Sequence, residues 1–232
     1  MPEEININHE YLAEFLPLLA DDVLDGLARC MGKGLEKWVK KGPTCALKPE
    51  ESSEVERARN YITMSLQMGL LLAKKDQKLG DVALSFIKSQ GVSVDEIWQV
   101  IIDVYQSYLE FNGQNNSESE RIHSKYFEDF LTYYATLQLR EIFRLMDKEW
   151  KKGWKNRKNP FKLKPGEKAK LVSVGNRVTF LIFTSLLIAN KQPELLQVDW
   201  PRGASLDVLW QGMMKTYQSF IYFKTFVDRN PI

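Results

Sequence analysis

After Ser93, the apolar residues Val94, Ile97, Trp98, Ile101, Tyr105, Tyr108 and Leu109 recur at steps of three and four, up to Asn112-Gly113. That spacing marks one face of an α-helix. Val55, Ala58, Ile62, Leu66, Gly69 and Leu70 keep the same rhythm between 54 and 75. No alternating run of β-branched residues is closed by Asn-Gly or Asp-Gly, so strands are not expected. The pattern predicts helices near 9–19, 22–41, 54–75, 80–90, 94–111, 118–152, 167–190 and 206–227. Ser-to-Glu spacings of three at Ser53/Glu56, Ser93/Glu96 and Ser117/Glu120 read as capping boxes at helix starts.

The segment 118–152 contains neither Gly nor Pro. As one helix it would run about 50 Å at 1.5 Å per residue. Ile122, Phe127, Phe130, Tyr134, Leu137, Ile142 and Leu145 form its stripe, and Tyr126, Tyr133 and Phe143 widen it. A helix so broadly apolar packs on two sides, as the spine of a bundle. The expected fold is therefore all-α, a single bundle of about seven or eight helices with a long central helix, centred on 118–152 and 167–190. Residues 1–232 read as one domain, with a basic connector at about 151–166 as its internal boundary. No fixed-period repeat is read, so a solenoid is not expected.

Composition narrows the class. The chain has 232 residues, 44% of them hydrophobic and 27% charged, enough to build a core without disulfides or metals. Two His and two Cys are too few for a two-zinc or iron–sulfur protein. Cys30 and Cys45 form no CxxC pair and read as reduced thiols of a cytoplasmic protein. The acidic start MPEEININHEYLAEF lacks the basic and apolar regions of a secretory leader. The most apolar run, Val178 to Ala189, has 12 residues, short of the roughly 20 that cross a bilayer. A buried core helix, not a transmembrane segment, is expected there.

Catalytic motifs are weak. Asp21-Asp22-Val23-Leu24-Asp25 matches the DDxxD spacing with which isoprenoid synthases hold magnesium and a diphosphate. It opens a helix, where carboxylates already complement the macrodipole, and no second acidic motif follows. Glu120 and His123 have the ExxH spacing of di-iron bundles, which need two such copies. No nucleophile elbow, P-loop or HExxH occurs. No catalytic residue, metal or cofactor is assigned. A helical enzyme or small-ligand binder, with Asp21, Asp22 and Asp25 as its metal site, stands as a further alternative.

Charge is the informative feature. Segment 148–170 holds ten Lys/Arg and two acids, a net +8, so the other 209 residues sum to −6 against a total of +2. Trp150, Trp154 and Phe161 are interleaved with the cations. Gly153, Asn159-Pro160 and Pro165-Gly166 predict that much of the segment is loop. Lysines neutralise phosphates and indole faces stack on unpaired bases. The expectation is a non-enzymatic binding or assembly protein in which Lys151, Lys152, Trp154, Lys155, Arg157, Lys158, Lys162 and Lys164 contact nucleic-acid backbone without sequence preference. An acidic protein surface or an anionic membrane would attract the same chemistry. The aromatic C-terminal helix, with Tyr217, Phe220, Tyr222, Phe223 and Phe226, supports the alternative of a protein–protein adaptor or scaffold, as a homo-oligomer or complex subunit.

Overall fold

The most apolar stretch of the chain lies at the centre of the molecule. The structure, a computed structural model, describes residues 7–42, 45–89, 91, 93–114, 121–158, 162–197 and 206–229. Among them the helices are α1 (Leu12–Arg29), α2 (Lys33–Lys41), α3 (Pro49–Lys75), α4 (Lys78–Ser89), α5 (Val94–Phe111), α6 (Phe127–Leu145), α7 (Lys148–Asn156), α8 (Pro165–Lys191) and α9 (Leu206–Arg229). Short 3₁₀ turns occupy His9–Tyr11, Ser124–Tyr126 and Pro193–Gln197, and no strand is present among the described residues. The all-α bundle is as expected, with nine helices among the described residues. By length and apolarity α8 is the one described helix that could cross a membrane. Here every residue from Leu181 to Ala189 is buried, packed by α3, α1 and α4.

Several boundaries differ from the pattern reading, each for a local reason. The 118–152 segment is not one helix: α6 stops at Leu145, and the Asp147 side chain accepts the N–H groups of Glu149 and Trp150, both at 3.0 Å, to start α7. The long central helices are α3 and α8, 27 residues each, which pack along each other more extensively than any other pair. Ser53 does not cap α3. The helix begins at Pro49, where the missing N–H costs nothing, and Glu51 accepts the Lys48 N–H at 2.9 Å. Ser93 does cap α5, accepting the Glu96 N–H at 3.3 Å; the Ser117/Glu120 pair lies outside the described residues. Near the start, α1 runs on through Pro17 to Arg29, so the predicted break at 20–21 falls instead between Arg29 and Lys33.

The absence of a repeat is corrected outright, because the two halves of the chain follow one plan. The order 3₁₀ turn, helix, nine-residue helix, 27-residue helix, connector, last helix occurs from His9 to Phe111 and again from Ser124 to Arg229. The sequences agree in register. Ile7, Tyr11, Phe15, Leu16, Ala20, Leu24 and Arg29 recur 115 residues later as Ile122, Tyr126, Phe130, Leu131, Ala135, Leu139 and Arg144. Leu47-Lys48-Pro49-x-Glu51 recurs 116 later as Leu163-Lys164-Pro165-x-Glu167, and Leu70, Leu71, Ala73 and Lys75 as Leu186, Leu187, Ala189 and Lys191. Asp95, Trp98, Gln99, Tyr105-Gln106-Ser107 and Phe111 recur 112 later as Asp207, Trp210, Gln211, Tyr217-Gln218-Ser219 and Phe223. The drop from 116 to 112 falls in the connector, which holds α4 in the first half and, among its described residues, a 3₁₀ turn in the second.

The halves exchange their last helices. Tyr217 of α9 packs edge-on against Phe15 of α1, with ring centroids 5.0 Å apart, and its hydroxyl accepts the Asn8 N–H at 2.8 Å. The counterpart Tyr105 of α5 packs edge-on against Phe130 of α6 at 5.1 Å and accepts the His123 N–H at 3.0 Å. Each terminal helix thus completes the other half. The long helices cross at counterpart positions: a Cβ added to Gly69 would overlap the Ser185 hydroxyl and the Ile182 carbonyl. Buried residues from both halves form one continuous core.

Gly69→Ala is expected to lose about 1–3 kcal/mol by overpacking, because the obstructing carbonyl is backbone and cannot swing away; the chemical denaturation midpoint reads this. Residues 1–114 and 115–232, expressed together as separate chains, are expected to co-purify as a one-to-one complex. Either fragment alone leaves its Tyr–Phe contact unmade, and analytical ultracentrifugation should not find it as a folded monomer.

Candidate nucleic-acid interface

The basic segment folds into more regular structure than its glycines and prolines imply. α7 forms because Asp147 satisfies two of its orphan N–H groups. Its apolar side, Trp150 and Gly153, turns inward. Gly153 brings α7 against α8, where a Cβ would lie only 3.1 Å from the Glu167 Cβ and carbonyl oxygen. Pro165 is the first residue of α8 rather than a loop residue, and the buried Glu167 accepts the Lys164 N–H at 3.2 Å. Asn159, Pro160 and Phe161 lie outside the described residues.

Three of the cations are used within the fold. Lys151 reaches Glu36 of α2 at 2.8 Å, and the Arg157 guanidinium pairs with Asp25 of α1. Lys170 reaches Asp147 at 2.9 Å. The Lys151 ammonium holds the Glu36 carboxyl below its usual range. Burial raises the Asp147 carboxyl, but the Trp150 N–H and Lys170 outweigh it and leave it low. Trp154 is covered as well: Trp150, one turn before, stacks on it at 5.0 Å and 14°. The Arg157 guanidinium, nearly one turn after, sits 3.9 Å from its ring centre. Both neighbours occupy indole surface that a stacking base would need.

The remaining lysines face outward. Lys148, Lys152, Lys155, Lys158, Lys162, Lys164 and Lys168 are exposed, and none has a carboxylate within 4 Å among the described residues. Lys148, Lys152 and Lys155 share the outer face of α7 by their spacing of four and three. Of the residues expected to bind, Lys152, Lys155, Lys158, Lys162 and Lys164 are therefore available, whereas Lys151, Trp154 and Arg157 hold the segment onto the body. Lys148 and Lys168 join the exposed set. The acids that select among the cations, Asp25 and Glu36, sit more than a hundred residues away, and sequence reading passed over that pairing.

The other motifs resolve into structure. Asp22 accepts from the Thr216 hydroxyl at 3.0 Å, and Asp25 is bound to Arg157. No group of three potential metal ligands occurs among the described residues. Glu120 of the ExxH pair lies outside them. Cys30 and Cys45 are free thiols, and burial pushes the Cys30 thiol up. A shallow concavity of about 670 Å³ lies along the exposed side of α8, lined by Pro165, Lys168, Ala169, Val172, Ser173 and Asn176. No family model, curated protein or solved structure matches the chain.

Asp147→Ala is expected to cost about 1–2 kcal/mol, the usual loss of an N-cap. Because the folded carboxyl titrates below the ordinary 3.8 of an aspartate, its stabilisation is complete above about pH 5 and is lost as the pH falls through the lower folded value. The difference in melting temperature between wild type and variant should accordingly shrink on acidification below that point.

Proposed function

We propose that this protein is a non-enzymatic helical binding protein that contacts nucleic-acid backbone, without sequence preference, through α7 and the start of α8. The observation that carries the reading is the row of seven exposed lysines with no carboxylate partner among the described residues, on a short helix and its flank pinned to the body by other cations. A fixed array of ammonium groups neutralises phosphates and releases their counterions, which supplies most of nonspecific affinity. The chemistry is poor for reading bases. Arg157, the one arginine of the densest stretch, is held by Asp25, which takes its guanidinium from the bidentate contacts that discriminate guanine.

A second reading follows from α9. Tyr222 and Phe223 are 77% and 65% exposed, and large aromatics left in water are the usual anchors of protein partners. It keeps the protein as an adaptor, with the lysines facing an acidic protein surface.

Anisotropy titrations with labelled duplex and single-stranded DNA and RNA at two salt concentrations separate the readings. With about six phosphate contacts the log–log salt slope is expected near −5 on duplex DNA and near −4 on single strands. Reversing Lys148, Lys152, Lys155 and Lys158 to Glu is expected to weaken binding at least about tenfold. No binding at low salt, or binding that ignores the reversal, overturns the proposal.

A further inference from the structure

The duplicated plan places a second lysine row beside the first. Lys33, Glu36 and Lys40 of α2 are the counterparts, 115 residues earlier, of Lys148, Lys151 and Lys155 of α7. In both helices the spacing of three and four puts the triplet on one face. The central members touch each other, Glu36 to Lys151 at 2.8 Å. Counterparts that meet mark the axis relating the two halves, as Gly69 and Ser185 do where α3 crosses α8. Lys33, Lys40, Lys41 and Lys48 are exposed, and none has a carboxylate within 4 Å among the described residues. Lys37 is excluded, because it is tied to Glu51 at 3.1 Å. Lys48 at the foot of α3 is in turn the counterpart of Lys164 at the foot of α8.

We infer that the α2 lysines Lys33, Lys40, Lys41 and Lys48 form the second half of one composite surface, and that the two rows straddle a nucleic-acid duplex across the Glu36–Lys151 ion pair. This rests on the nucleic-acid reading above and adds its geometry. A duplex suits the arrangement for two reasons. Its antiparallel strands are themselves related by two-fold axes, so a protein with two-fold related rows can meet both strands in the same way. Trp154 already stacks on Trp150 and Arg157, which reduces the base stacking that favours a single strand, and the duplex offers the denser charge, one per 1.7 Å of axis. The half-to-half difference is one of number: α7 and its flank carry seven exposed lysines, α2 and its flank four.

The test uses the full chain and a labelled duplex of about 20 base pairs, roughly two helical turns, with its single strand and anionic phosphatidylserine vesicles as parallel probes. Three proteins are compared: wild type, the α2 set (Lys33→Glu, Lys40→Glu, Lys41→Glu, Lys48→Glu) and the α7 set (Lys148→Glu, Lys152→Glu, Lys155→Glu, Lys158→Glu). The α2 set is expected to lose at least about tenfold in duplex affinity and to flatten the salt slope by about 3 to 4. Gln versions of the same positions should move affinity in the same direction with an unchanged melting curve, which separates lost contact from lost fold. Duplex affinity within twofold of wild type for the α2 set, while the α7 set is impaired, overturns the composite surface and leaves the α7 reading standing. Tighter binding to the single strand than to the duplex also overturns it. Binding to vesicles with no affinity for either nucleic acid overturns both readings.

Discussion

The crossing of α3 and α8 is the constraint to which the rest of the molecule conforms. These helices can run against each other only because Gly69 has no side chain where Ser185 and the Ile182 carbonyl arrive. Close approach buries the apolar runs Leu70–Ala73 and Leu186–Ala189 on nearly all sides, which explains why Val178 to Ala189 is the most apolar run of the chain. Once that pair is set, each half needs a cover for the outer side of its first helix. The exchanged terminal helices supply it, with Tyr217 over Phe15 and Tyr105 over Phe130. Both tyrosine hydroxyls accept the N–H of a residue just ahead of a 3₁₀ turn, so the burial of two large rings leaves neither hydroxyl unpaired.

Much of this was legible in the chain. The 3.6-residue rhythm located the helices, and α5 and the start of α9 fall where it placed them. It missed where chemistry other than hydrophobicity decides. Met146-Asp147 interrupts an unbroken apolar pattern because one carboxylate caps a new helix, and apolar periodicity carries no record of that. The duplication was visible in principle, in Tyr-Gln-Ser at 105 and 217 and in Leu-Lys-Pro at 47 and 163. Its period exceeds the 20 to 50 residues typical of stacked repeats, and only some of the matched positions are identical. Helix order and burial make the correspondence plain. At the site, the excess of lysine was legible and its division was not. Which cations are free depends on Asp25 and Glu36, contacts that local spacing does not encode.

The same pairings that remove cations from the surface build the surface. Lys151, Arg157 and Lys170 each run from the basic segment to an acid elsewhere. All three pairs are partly exposed, so their individual contribution to stability is small, about 0–1 kcal/mol each. Their larger effect is positional, since Arg157 also covers the Trp154 indole and holds the end of α7 toward α1. A lysine row on a pinned helix has fixed spacing, whereas the same row on a loop would lose ordering entropy on every encounter with a polyanion.

Charge differentiation between the halves follows from their covalent fusion. In a homodimer of the first half, position 36 would face its own copy across the axis, placing two glutamates at a distance where one ion pair now spans 2.8 Å. Like charges so placed repel by about 1 kcal/mol even in water at 4 Å, and by more near a protein surface. Two copies of the second half would oppose two lysines instead. A single chain escapes both, because the counterparts can mutate independently: Glu36 and Lys151 attract where identical residues could not. Exposed lysine is likewise more abundant on one side of the axis, where Lys158, Lys162 and Lys168 have Pro43, Ala46 and Ser52 as their sequence counterparts. The net charge of +2 conceals this arrangement, since a strip of +8 is balanced by a body of −6, and part of that acid holds the strip in place.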